Sequence, residues 1–261
     1  MALTAASRPQ FLLASVFAVV IFWNSVFKDR TLFSKKGLGA TVAMCLPYVI
    51  VGMALMWYNF ARFGSPFDFG QNYNLTTNDM TGRGMRIERV GLALFTYFFQ
   101  PPTINATFPF LTKSTISTNY LGTTITEAMF GGVFATIPLI WLLFLIPSRK
   151  DELKKNNTLP FALTAMALAF SIGILDAQGA GLLARYVSDF AYLLIIAAIF
   201  VLFLLYENGK DHLNTTRFLT FAFFATSVYS FLSIFAVYGT EIFYKNPTLF
   251  YKVSELVQFY R

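Results

Sequence analysis

One cysteine and one histidine stand among 261 residues, and only 13% of the chain is charged. One cysteine cannot close an intramolecular disulfide, and one histidine with one cysteine cannot furnish a typical zinc site. The sequence therefore points to no metal, and it names no cofactor. Cys45 falls inside an apolar run and reads as a small packed hydrophobe; His212, in a polar connection, reads as a solvated side chain. Soluble domains carry about 25% charged residues. A share this low, with 56% hydrophobic and 18% aromatic residues and a mean hydropathy of +0.57, excludes a soluble globular domain.

What is present is a series of apolar blocks of about 15 to 23 residues, each long enough to cross or nearly cross a hydrocarbon layer roughly 30 Å thick. Six are expected to be transmembrane helices: Phe11 to Phe27, Leu38 to Phe60, Ala128 to Pro147, Phe161 to Leu175, Tyr186 to Tyr206 and Phe218 to Tyr238. The expected fold is all-α, a single polytopic transmembrane domain over 1–261 with a long outer loop at 61–127 and an outer amphipathic tail at 246–261. The net charge of +7 is divided among loops on both sides of the membrane, which fits topology and lipid head groups and gives no nucleic-acid surface.

Short cytoplasmic loops collect lysine and arginine. Lys28 to Gly37 holds four basic residues against Asp29, and Ser148 to Leu159 holds four against Asp151 and Glu152. With the Glu207 to Arg217 loop these alternate correctly, so they are assigned to the cytoplasm and both chain ends to the outside. An outer start without a basic secretory leader at Met1 to Gln10 is explained if the chain is the C-terminal part of a longer protein.

No ionisable residue sits near the middle of a span, which disfavours a proton relay or a coupled ion path. Polar residues crowd at the outer face instead. After the second span, Tyr58 to Met80 mixes helix breakers and aromatics with Arg62, Asp68 and Asp79; it reads either as a packed loop or as the wall of a pocket for a polar head group. Next comes Arg83 to Gln100, whose apolar part of about 11 residues is too short to span. As a helix it places Arg86, Arg89, Ala93, Thr96 and Gln100 on one face and Ile87, Val90, Leu94, Tyr97 and Phe98 on another. That is an interfacial or re-entrant helix, either anchored to anionic lipid or reading phosphate through guanidinium forks. A third cluster, Ala184 to Phe190, sets Arg185 four residues before Asp189 with Asp176 across the turn; it reads as a clamp between helices or as the edge of an outer pocket. Seven of ten arginines (8, 62, 83, 86, 89, 185, 261) fall outside, and seven of ten lysines fall in the cytoplasmic loops. Arginine is the better phosphate reader.

The segments YNFARFGSPFDFGQNY, Tyr58 to Tyr73, and RYVSDFAYLL, Arg185 to Leu194, resemble bacterial polytopic proteins of the GT-C glycosyltransferase superfamily, as does Ala6 to Pro9 running into an apolar helix. The resemblance implies a membrane-embedded, glycosyltransferase-like protein of the bacterial cell membrane. Such a protein transfers sugar from a polyprenyl-phosphate donor at the outer face, with a carboxylate as base and basic groups on the departing phosphate. The family's catalytic aspartate lies in a first outer loop upstream of the resembling region, so no residue here takes that role by match. Residue type and sidedness nominate Asp68 or Asp79 as base and Arg62, Arg83, Arg86, Arg89 and Arg185 as substrate-binding groups. The competing class is a non-catalytic membrane scaffold or lipid-binding subunit using the same arginines and aromatics. In either case the partner is membrane lipid.

The loop assignment is directly measurable. With Cys45 replaced by alanine, a cysteine at Lys35 or at Lys154 should react only from the cytoplasmic side of intact cells; reaction of both with an impermeant reagent from outside would invert the topology.

Overall fold

The computed structural model describes residues 2–31, 34–70, 73, 85–114, 129–179, 181–207 and 212–257. The chain starts with helix Ala2–Ser7 (α1), a 3-10 stretch Pro9–Ser15 and Val16–Ile21 (α2), then a π-helical turn, Asn24–Lys28. Leu38–Phe63 (α3) follows as one continuous helix, stopped by Gly64 at φ 72°, a left-handed geometry glycine adopts without penalty, with its N–H closing on the Phe60 carbonyl. After the outer loop come Glu88–Leu94 (α4), continued by a π-helical turn Phe95–Phe99, and a two-residue hairpin ladder that pairs Thr103–Ile104 (β1) with Leu111–Thr112 (β2). One turn at Val133–Thr136 (α5) leads into a 3-10 stretch Pro138–Leu145. The basic connection forms Lys150–Lys155 (α6), and the remainder is Leu159–Gly179 (α7), Val187–Glu207 (α8), His212–Lys245 (α9) and Pro247–Val257 (α10).

Four helices are long and apolar enough to cross a membrane: Leu38–Phe63, Leu159–Gly179, Ala184–Glu207 and His212–Val237. This is an all-α polytopic membrane protein. The other two expected spans, Phe11 to Phe27 and Ala128 to Pro147, run as chains of short helices. In the second the reason is local: Pro138 has no N–H to continue a helix, and Ile137 before it is held out of the helical region at φ −127°, ψ 79°.

The centre of the structure is the antiparallel pair α7 and α8. Ala162, Ala165, Ala169 and Gly173 recur on α7 at steps of three and four, and Ala197 and Ala198 lie on α8; all five alanines are fully buried. In lipid there is little hydrophobic drive between helices, so small residues that let backbones approach supply the packing contact. Toward the turn that joins the pair, the gap opened by Gly173 is filled by Phe98, whose ring lies 4.4 Å from Phe170 and 4.8 Å from Phe190. Tyr97, edge-on to Phe190 at 5.3 Å, completes the wedge.

Glu88 to Phe99 forms the expected short helix, with residues of both expected faces turned into the protein. Arg89, Ala93, Thr96 and Gln100 are buried with Tyr97 and Phe98, while Arg86, Ile87, Phe95 and Phe99 are exposed. Of the buried polar groups Arg89 Nη1 finds the Gln178 carbonyl, whereas Arg89 Nε, Thr96 Oγ1 and Gln100 Oε1 have no partner among the described residues. Around this centre, α3 is barely packed at all, meeting the N-terminal segment through the Ser15–Tyr48 hydroxyl contact of 2.9 Å. The tail α10 begins at Asn246 as expected, and Phe250 reaches Phe108 of the outer loop at 5.9 Å. Leu249 and Leu256 on the same helix stay exposed.

Gly132 packs directly against the Phe98 backbone. A Cβ there would lie 2.6 Å from the Phe98 backbone carbon, whereas one at Gly52 on α3 would meet nothing within 4 Å. Gly132→Ala should therefore lower the melting temperature of the detergent-purified protein, at a cost of about 1–3 kcal/mol. Gly52→Ala should leave it unchanged or slightly raised; equal melting of the two variants would refute the close approach.

Candidate functional site

The turn between α7 and α8 gathers polar groups from four parts of the chain. From α7 come Asp176 and Gln178, from the 3-10 turn Ala184–Tyr186 come Arg185 and Tyr186, and from the start of α8 comes Asp189. The N-terminal segment contributes Arg8 and Gln10, and the short-helix segment ending at Gln100 contributes Arg86, Arg89 and Tyr97. The connection itself is held by Tyr97, whose hydroxyl donates to the Gly181 carbonyl at 3.1 Å and accepts from the Leu183 N–H at 3.0 Å. One phenol thereby pairs two backbone groups that no helix supplies with partners.

Arg8 forms an ion pair with Asp189, a carboxylate only 6% exposed. Its guanidinium also lies 4.8 Å above the Tyr186 ring, on which Arg185 stacks at 5.5 Å. Both distances are within the range of cation–π attraction. Beside them Gln10 donates from Nε2 to Asp176 Oδ1 at 2.8 Å, while Asp176 Oδ2 is buried with no hydrogen-bond partner. A buried carboxylate oxygen without a donor is costly and uncommon. Asp176 lines a cleft of about 460 Å³ with Gln10, Leu12, Leu13, Leu175 and Tyr186. Its apolar walls and one carboxylate suit a ligand that is part hydrocarbon and carries a hydrogen-bond donor.

On the other flank Gln178 grips the backbone of Arg86 with both ends of its amide, accepting from Arg86 N at 3.0 Å and donating to Arg86 O at 2.8 Å. This leaves the Arg86 side chain exposed and turns Arg89 inward, where Nη1 donates to the Gln178 carbonyl at 3.3 Å. Arg89 Nε is buried without a partner, and among the described residues no carboxylate pairs with this cation.

Of the residues nominated from sequence, Arg86 and Arg89 both meet Gln178, Arg86 through its backbone and Arg89 through its side chain, while Arg185 stacks on Tyr186 across the turn. Arg62 does not join them: it donates to the Tyr58 hydroxyl at 2.8 Å and lies on the Phe63 ring, both within its own helix. Asp68 accepts from Gly70 N at 2.8 Å inside its own turn. Asp79 and Arg83 lie outside the described residues. The expected partner of Asp189 was Arg185; the structure brings Arg8 to it. Arg8, Gln10, Gln178 and Tyr97 were missed as site residues. Polar groups directly flanking apolar runs, Arg8 and Gln10 before Phe11 and Asp176 and Gln178 after Leu175, were the available signal.

The fold and this end cluster define the class: a helical integral membrane protein with a polar, arginine-rich site at one end of its central helix pair. No family model, curated protein or solved structure matches the chain.

Breaking a buried ion pair by removing one partner costs about 3–5 kcal/mol. Arg8 is about a third exposed, so Arg8→Gln should destabilise by less, about 2 kcal/mol. Asp189→Asn in the same chain should recover part of that loss. A double-mutant cycle on melting temperature that shows no coupling would remove the pair from the account.

Proposed function

We propose that this protein handles a polyprenyl-phosphate-linked sugar at the outer face of a bacterial cell membrane, which it crosses six times, and that it acts as a GT-C-like glycosyltransferase. The observation that carries the reading is the Asp176 carboxylate, whose Oδ2 has no hydrogen-bond partner, in a cleft bordered by the Arg8–Tyr186 stack. A glycosyl transfer needs a base for the acceptor hydroxyl and cations for the phosphate that leaves, and this end of the protein has both types of group within one cluster.

In this reading Asp176 takes the role for which residue type had nominated Asp68 or Asp79. The acceptor hydroxyl gives its proton to Asp176 as its oxygen bonds to the anomeric carbon of the sugar. The bond from that carbon to the phosphate oxygen breaks, and the phosphate departs with the electron pair toward Arg86, Arg89 and Arg185. Leu12, Leu13 and Leu175 offer the polyprenyl chain an apolar path. The second reading, a lipid-binding subunit without chemistry, is favoured by Arg89: its burial against Gln178 also serves simply to dock the outer loop.

The two readings separate in a purified preparation given a fluorescent polyprenyl-phosphate and, separately, a polyprenyl-phosphate sugar with candidate acceptors. Replacing Arg86 and Arg89 by glutamine should weaken binding by tenfold or more, since each hydrogen bond to a charged group contributes about 1.5–3 kcal/mol. Asp176→Asn should abolish transfer and spare binding. Binding without transfer in the unaltered protein selects the subunit; absence of binding ends both readings.

A further inference from the structure

At the opposite end of the molecule a second cleft, of about 470 Å³, opens between the end of the Pro138–Leu145 stretch, the last turns of α8 and the first turn of α9. Its lining is sharply divided. Trp141, Leu145, Leu205 and Phe218 form an apolar floor, and Ser148, Arg149, Asn214 and Thr215 form a polar mouth. The division follows chain direction: the apolar groups belong to membrane-spanning elements, and the polar ones stand where those elements reach the basic connections. Trp141 is fixed in this position by its indole N–H, which donates to the Phe134 carbonyl at 2.6 Å, and amphipathic aromatic rings favour the depth at which hydrocarbon meets head groups.

We infer that this cleft is a binding site for an anionic glycerophospholipid, with an acyl chain on the Trp141–Leu145–Phe218 floor and the phosphate at Arg149. Charge complementarity identifies the occupant. Ser148 to Leu159 carries Arg149, Lys150, Lys154 and Lys155 against Asp151 and Glu152, and Arg217 stands one turn beyond Asn214, so the mouth lies in a positive field. Basic clefts between membrane helices on this side are suited to anionic head groups. The ion pair of Arg149 with Glu152, at 3.1 Å, does not compete strongly, because both side chains are 32–41% exposed and such pairs contribute little. Ser148 and Asn214 add neutral groups able to bond the phosphate or glycerol oxygens. A soluble anion would use the mouth alone and leave the apolar floor empty, so the lipid is the occupant that matches both halves. This site is independent of the outer cluster and stands or falls separately from the proposed transfer.

The test is lipid retention by the purified full-length chain, read by native mass spectrometry after exchange into phosphatidylglycerol or phosphatidylcholine of identical chains. One phosphatidylglycerol should remain bound under activation that strips phosphatidylcholine. Arg149→Gln should reduce its retention about tenfold, equivalent to about 1.4 kcal/mol, and Arg149→Lys should restore much of it. Asn214→Asp, which sets a carboxylate in an exposed part of the mouth and leaves the packing intact, should cause a comparable loss. Lys154→Gln, on the same connection but off the cleft, should have no such effect. Equal retention of the two lipids, an Arg149→Gln effect matched by Lys154→Gln, unaltered retention in Asn214→Asp, or equal protection by glycerol phosphate lacking acyl chains would each overturn the assignment.

Discussion

The wedge of Tyr97 and Phe98 between α7 and α8 is the contact on which the end of the molecule where those helices join depends. Phe98 occupies the space that Gly173 leaves open, and Tyr97 ties down the turn joining the two helices. Because the wedge is seated, α4 runs alongside α7, which brings the Arg86 backbone to Gln178 and directs Arg89 inward. The same turn sets Tyr186 and Asp189 where Arg8 of the N-terminal segment meets them, and Asp176 where Gln10 does. Packing of two aromatic rings in the core thus determines which charged groups become neighbours several residues away.

A second constraint comes from the solvent. Backbone and side-chain polar groups in hydrocarbon must be satisfied by the protein itself, so the chain keeps its ion pairs and amide contacts at the two ends and leaves alanines and glycine to the helix interface between them. The stripe from Arg89 to Gln100 departs from that rule: Arg89 Nε, Thr96 Oγ1 and Gln100 Oε1 are buried without a hydrogen-bond partner among the described residues.

Much of the architecture was legible in the sequence because hydrophobic length is a one-dimensional property. The continuous spans α3, α7, α8 and α9, the short helix before Gln100 and the cap at Asn246 could all be read from local composition and spacing. The breaks within Ala128 to Pro147 were less legible, since proline is tolerated in some membrane helices, such as at Pro47 within α3, and ends others, as at Pro138. Which face of the re-entrant helix turns inward was not legible at all; periodicity separates two faces without saying which solvent each meets. The site was legible only in kind. Arginines and carboxylates flanking the apolar runs were evident, and Arg86 and Arg89 do both meet Gln178, but the pairing of Arg8 with Asp189 spans most of the chain and leaves no local trace. Asp68 shows the converse: an aspartate two residues before a glycine bonds its own turn, a local use that competes with any role in a site.

The two joints at this end of the helix pair differ in the forces they use. Gln178 docks the re-entrant segment through two uncharged hydrogen bonds to a single residue, a latch to which dissolved salt is nearly irrelevant. Arg8 holds the N-terminal segment through an ion pair whose cation is partly open to water, and such an attraction fades as counterions accumulate. This end of the helix pair therefore has one joint that is fixed and one whose grip varies with ionic strength, so that the salt around it sets how firmly Gln10 is held against Asp176.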